Sequence, residues 1–255
     1  YTTLFRSCYF ITLHPNCEIS TLHIPLFISL QSQNNEMLLA EIKYLVLKDI
    51  KLEFKQRYAI NGILLYVVST IFVSYLSFAR IVDSATWNSL FWIIMLFAAV
   101  NAVSKSFVQE STSRQLYYYT LTSPQAIILS KMIYNFMLMG VLSLLCLLVF
   151  TGLMGGFVVN YPLFISALLL GSFGFASALT MIAAIASRTN NNFALMAILS
   201  FPVVMPLLLT LMKVSSAALS VGTLSGNLKY LAALLMLNVI VVALSYVLFP
   251  YLWRD

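Results

Sequence analysis

Cys8, His14, Cys17 and His23 are the residue types that hold zinc or haem iron, and all four fall in one short amino-terminal stretch. Their spacing has neither the C-x2-4-C nor the H-x3-5-H pairing that places ligands around one metal. Beyond that stretch the chain has no histidine and one cysteine, Cys146, inside an apolar run. Acid–base catalysis needs a histidine or carboxylate constellation, and none is placed for it within the apolar segments. Nor is there a G-x-x-x-x-G-K-[ST] loop to cradle a nucleotide's phosphates. What remains is a polar run, Gln109-Glu110-Ser111-Thr112-Ser113-Arg114-Gln115-Leu116-Tyr117-Tyr118-Tyr119, closing on Thr122-Ser123-Pro124. Glu110 and Arg114 stand at i and i+4, the spacing for an ion pair on a helix face or for contacts with a partner. The chemistry on offer is recognition rather than bond-making.

The elements around this island are membrane spans. Hydrophobic residues make up 61% of the chain and charged residues 9%, with a mean hydropathy of +0.94. A soluble domain carries roughly 25% charged residues. The apolar runs approach the ~20 residues that cross a bilayer as a helix. The sequence therefore predicts an all-α integral membrane protein with about six spans, near 60–78, 87–108, 127–148, 162–186, 192–212 and 228–252. Trp87 and Trp92, at the outer end of the second span, are the type that anchors at the membrane interface.

Residues 38–57 read as an amphipathic helix on the membrane surface. Leu38, Leu39, Ile42, Leu45, Val46, Ile50 and Phe54 form its apolar face, and Lys43, Lys48, Lys51, Lys55, Asp49 and Glu53 occupy the rest. Such a basic helix is drawn to anionic headgroups. Residues 1–36 lack this periodicity and contain Pro15 and Pro25. Met37 is the expected natural start, with 1–36 a non-native or disordered extension. The expected topology puts both termini in the cytoplasm. Ten Lys and Arg then fall on that side and three (Arg80, Lys213, Lys229) outside, Arg6 lying in the extension. That bias orients the chain.

Inside the spans the polar residues are modest. Asn101, Asn135 and Asn238 are expected to make interhelical hydrogen bonds. Ala167, Gly171, Gly174 and Ala178 have the spacing that lets helices approach closely. Pro202 and Pro206 should bend or break the fifth span, either as a static kink or as a discontinuous helix near a translocation route. Residues 215–227, rich in Ser and Gly, read as a loop or a short re-entrant element.

The run Phe107-Val108-Gln109-Glu110, then Arg114 to Leu121, then Ser123-Pro124-Gln125-Ala126-Ile127-Ile128-Leu129-Ser130-Lys131 resembles the haem exporter B family, CcmB. The likeness rests on the order Glu110, Leu121, Pro124, Lys131 and extends from Met37 to Asp255. Ser111-Thr112-Ser113 stands where the family often has Gly. The resemblance implies the permease subunit of a type-2 ABC exporter in the bacterial inner membrane, serving haem export or release of a haem-loaded chaperone in c-type cytochrome biogenesis. It implies a cytoplasmic ATPase partner that binds the ATP, a haem-handling membrane subunit, a periplasmic haem chaperone and a second copy of the chain. It also implies that residues 109–126 are the coupling segment, with Glu110, Thr112, Arg114, Leu116, Tyr117, Leu121 and Pro124 facing the ATPase. No cofactor is intrinsic to the chain on this reading, and haem is a transported or transferred ligand. Other ABC exporter permeases (drug, lipid or polysaccharide) place a similar segment after their second span, and a non-transporting membrane scaffold is the reading from a different class.

Overall fold

In lipid a backbone must satisfy its own polar groups, so apolar runs of membrane length become helices. The computed structural model describes residues 23–55, 57–78, 83–108, 122–187, 192–220 and 226–252. Among them are seven helices and no strand: α1 His23–Lys55, α2 Arg57–Phe78, α3 Ser84–Val108, α4 Pro124–Met154, α5 Tyr161–Ala186, α6 Asn192–Leu219 and α7 Leu228–Leu252. Six are long and apolar enough to cross a membrane, α2 to α7. The all-α membrane architecture and the number of spans follow the sequence reading.

The chain divides into two compact units, Tyr1–Ala40 and Glu41–Asp255. Of the first, residues 23–40 are the leading part of α1. The helix thus begins at His23 rather than Leu38. Pro25 falls in its first turn, where the missing N–H has no helical partner to lose. No further Pro or Gly occurs before Gly62 to stop it.

In the second unit α5 is the axis. Of its span 72% is buried, against 17% of the α2 and α7 spans, and it packs on α3, α4, α6 and α7. Two glycines let it do so. A Cβ on Gly171 would stand 2.9 Å from Leu211 Cδ2 and 3.0 Å from Trp92 Cη2, and one on Gly174 would stand 2.6 Å from both Asn238 Oδ1 and Leu207 Cδ1. The small-residue stripe of the fourth span is therefore a contact surface. Ala167 and Ala178 are buried with it.

Polar side chains join the helices at a few points. Asn135 Nδ2 donates to Thr180 Oγ1 at 2.8 Å, linking α4 to α5. Asn238 Nδ2 donates to the Leu170 carbonyl at 3.0 Å, linking α7 to α5. Both amides thus play the expected interhelical role. Replacing Asn135 with leucine is expected to cost about 0.6 kcal/mol, the average for such bonds in membranes, read as a lower unfolding midpoint in detergent.

The end of the bundle that holds the start of α3, the α4–α5 connection and the end of α6 is an aromatic core. Trp87 stacks on Phe91 at 5.8 Å and meets Phe150 edge-on at 5.0 Å and Phe164 at 5.9 Å, while Trp92 lies 5.4 Å from Phe91. Both tryptophans are fully buried, so they are packing residues and not the interface anchors their position suggested. The indole N–H groups are used: Trp87 Nε1 donates to the Gly155 carbonyl at 3.2 Å and Trp92 Nε1 to Ser215 Oγ at 2.8 Å. Ser215 Oγ in turn donates to Asn88 Oδ1 at 2.7 Å. Residues 215–219 are thus the last turn of α6 rather than a loop or re-entrant element, and residues 221–225 lie outside the described residues.

Local sequence shapes the connections at this end. Gly155 closes α4 at φ 88°, a conformation that disfavours any side chain. Asn160 caps α5 by accepting from the Leu163 N–H at 3.2 Å. The Val159 and Asn160 N–H groups both donate to the Ala218 carbonyl, at 3.2 and 3.0 Å, fastening this connection to the end of α6. Asp83 caps α3 through the Thr86 hydroxyl and N–H. The Thr86 hydroxyl holds the Asp83 carboxyl below its ordinary range.

Pro202 and Pro206 lie inside α6, which runs through both. Each leaves the carbonyl four residues before it without a helical donor. The helix is not discontinuous, so a bend is the form that the proline effect can take. Beside them α3 and α6 leave an apolar groove of about 230 Å³, lined by Phe97, Val100, Phe201, Val204 and Met205 among others.

Candidate functional site

Of the residues expected to face an ATPase, Glu110, Thr112, Arg114, Leu116, Tyr117 and Leu121 lie outside the described residues. Pro124 is the first residue of α4. Residues 124–126, assigned from the sequence to the coupling segment, are the opening turn of that helix. The polar island therefore leads, through Thr122 and Ser123, directly into α4.

The base of α4 is held by residues the sequence reading did not single out as a site. Ser123 is its N-cap, with φ −69° and ψ 140°, and its side chain makes no cap hydrogen bond of its own. Its hydroxyl instead donates to Glu41 Oε2 at 3.0 Å, and its N–H donates to the same oxygen at 3.3 Å. Proline at the first helical position needs no N–H partner. A carboxylate at this terminus also opposes the positive end of the helix dipole. Two turns on, Lys131 Nζ lies 3.6 Å from Asp49 Oδ2, and both side chains are more than nine-tenths buried. Lys48 Nζ approaches the other Asp49 oxygen at 3.2 Å. Tyr134, the next turn of α4, is buried, and its hydroxyl is near the Glu53 and Asp49 carboxylates. It meets neither with hydrogen-bond geometry.

These contacts revise the picture of the amphipathic helix. Asp49 does not sit on its solvated face. Ile42, Leu45, Val46 and Asp49 form one buried stripe at the i, i+3, i+4, i+7 spacing of a single helix face. Lys43, Lys51 and Lys55 are exposed, as are Leu39, Tyr44 and Leu47. An acidic residue in register with the apolar stripe of Ile42, Leu45 and Val46 was the available signal, and its partner lay 82 positions away.

Residues 40–248 match the family model described as CcmB protein. The chain belongs to the CcmB family. No curated protein sequence matches it. Membership makes this CcmB chain a multi-pass membrane subunit of the ABC type, in the haem-export system of c-type cytochrome biogenesis. The matched range takes in Glu41, Asp49, the polar island and Lys131, so the clamp at the base of α4 belongs to the CcmB region.

Proposed function

We propose that this CcmB chain is the force-receiving permease of an inner-membrane ABC complex, with its amino-terminal helix and residues 109–126 on the cytoplasmic side. The family match over residues 40–248 carries the reading. The geometry supports it, because the segment between α3 and α4 feeds into a helix of 31 residues. At 1.5 Å per residue that helix is about 46 Å long, against a hydrocarbon core of ~30 Å. A push on its base reaches the opposite end of the bundle, where Phe150 of α4 packs on Trp87 and Phe91.

On this reading ATP is bound and hydrolysed by a partner subunit, and Glu110 and Arg114 dock that subunit, with Thr112, Leu116, Tyr117, Leu121 and Pro124 beside them. Haem, or a haem-loaded periplasmic chaperone, is what the complex releases, together with a haem-handling membrane subunit. A second copy of the chain completes the transporter. The exposed apolar faces of the spans, such as Phe97 and Phe201, suit transfer of a flat apolar ligand along the membrane side of the bundle.

Purification from the native membrane tests the assignment, with an ABC ATPase and haem proteins expected in the complex. Glu110→Ala and Arg114→Ala are each expected to weaken ATPase co-purification and lower the yield of c-type cytochromes. Loss of one charge-assisted contact costs about 1.5–3 kcal/mol, roughly ten- to a hundredfold in affinity. If both variants retain full ATPase binding and full cytochrome assembly, the coupling role of this pair is wrong.

A further inference from the structure

Glu41 and Asp49 stand eight residues apart on α1, and Ser123 and Lys131 stand eight residues apart on α4. Glu41 grips Ser123 and Asp49 grips Lys131, so the two helices meet in register at two points. At 1.5 Å rise per residue those points are about 12 Å apart. A single contact would leave α1 free to swivel on α4. Two contacts at this separation remove that freedom.

The chemistry of the two points differs. The outer one holds the N-cap residue Ser123 through its hydroxyl and its N–H. The inner one joins buried opposite charges, with Lys48 on the other Asp49 oxygen. Asp49 Oδ2 has no hydrogen bond to satisfy it otherwise. Burial shields this contact from the solvent screening that weakens a surface ion pair.

From this geometry we infer that residues 41–55 of α1 and the first two turns of α4 move as one body, with Asp49 and Lys131 as the positioning pair. This rests on the permease reading above and adds a second element to the path of force. A stroke arriving through residues 109–122 is delivered to the α4 base, and the latch carries the amphipathic helix with it. Lys43, Lys51 and Lys55 point away from the buried stripe. The moving body thus presents a basic face, suited to sliding along anionic headgroups.

Asp49→Asn and Lys131→Met, each in the full native complex, test the inference. Both are expected to keep membrane abundance, ATPase co-purification and ATP hydrolysis, while c-type cytochrome yield falls about fivefold or more, the low end of usual coupling free energies. The charge swap Asp49→Lys with Lys131→Asp should restore much of that yield. Glu41→Ala, which strands no buried charge, should lower the yield in the same way and covers the case where the inner variants fail to fold. Full cytochrome yield in Asp49→Asn and Glu41→Ala would overturn the latch, as would a swap that folds and binds ATPase without restoring any yield. Absence of an ATPase from the wild-type complex would sink the permease reading instead. The latch would then be judged by a double-mutant cycle on detergent melting, where additive effects of Asp49→Asn and Lys131→Met overturn it.

Discussion

Replacing Gly174 with leucine is expected to keep the bundle from closing, so that no monodisperse folded protein is recovered in detergent. The β-carbon alone would lie 2.6 Å from Leu207 Cδ1 of α6 and 2.6 Å from Asn238 Oδ1 of α7. The leucine end can turn away, but Asn238 is buried and tied to the Leu170 carbonyl. Either the amide gives up that bond or α7 retreats from α5. Alanine at 174 is therefore expected to cost about 1–3 kcal/mol, the usual range for overpacking. Leucine adds three more carbons where there is no room for the first.

Gly140 and Gly152 of α4 are the internal controls, since a Cβ at either meets nothing within 4 Å. Alanine there should be neutral or stabilising by about 0.5–1 kcal/mol, because glycine in a helix interior carries an entropic penalty. Unfolding midpoints in SDS or heat check the ordering. The close-approach account fails if Gly174→Ala melts with Gly140→Ala.

Trp87→Ala is the second large effect. The indole is fully buried among Phe91, Phe150 and Phe164, with Phe157 at 6.2 Å, and its N–H holds the carbonyl of Gly155. Truncating a core aromatic costs about 3–5 kcal/mol through lost contacts and the cavity left behind. The cost here should fall near the lower end, because apolar lipid already provides part of the solvation gain that water denies. Trp87→Phe keeps most ring contacts and gives up the hydrogen bond, a loss of about 0.5–1.5 kcal/mol. Circular dichroism during SDS titration reads both without relying on tryptophan emission. An interface anchor would behave differently: both substitutions would then change stability by less than the hydrogen bond alone. Gly155 closes α4 and its carbonyl is the acceptor of the Trp87 bond, so the variant should also loosen the connection into α5.

Much of the fold is legible in the order of residues along the chain. Apolar runs near membrane length, punctuated by Arg57, Arg80, the polar island and Gly155-Gly156, have one stable outcome in lipid, and the six spans follow. Asn135 and Asn238 could be read as interhelical donors because an amide inside a span needs a partner. The order of Glu110, Leu121, Pro124 and Lys131 pointed to the CcmB family, which the match over residues 40–248 establishes.

The facing of side chains was another matter. In water a helix's apolar stripe marks its core side, but a helix in lipid is apolar all round, and its pattern no longer says which side meets protein. Gly140 and Gly174 look alike as letters, yet one has open space and the other two helices against it. Trp87 carried the composition of an interface anchor, and the bundle's convergence of α3, α4 and α5 made it core. Pro202 and Pro206 announced a disturbance without saying that α6 would continue through both.

The sequence by itself determined that this chain crosses a membrane, roughly where it does so, and which family it belongs to. Each of those rests on local composition or order along the chain. Only the tertiary structure decided that Glu41 holds Ser123 at the start of α4 and that Asp49 is buried against Lys131. Both partners are 82 residues distant, and no periodicity within either helix specifies a partner on the other. Pairing across such a separation is set by how the spans pack, and that packing is the sum of many contacts rather than a property of any one segment.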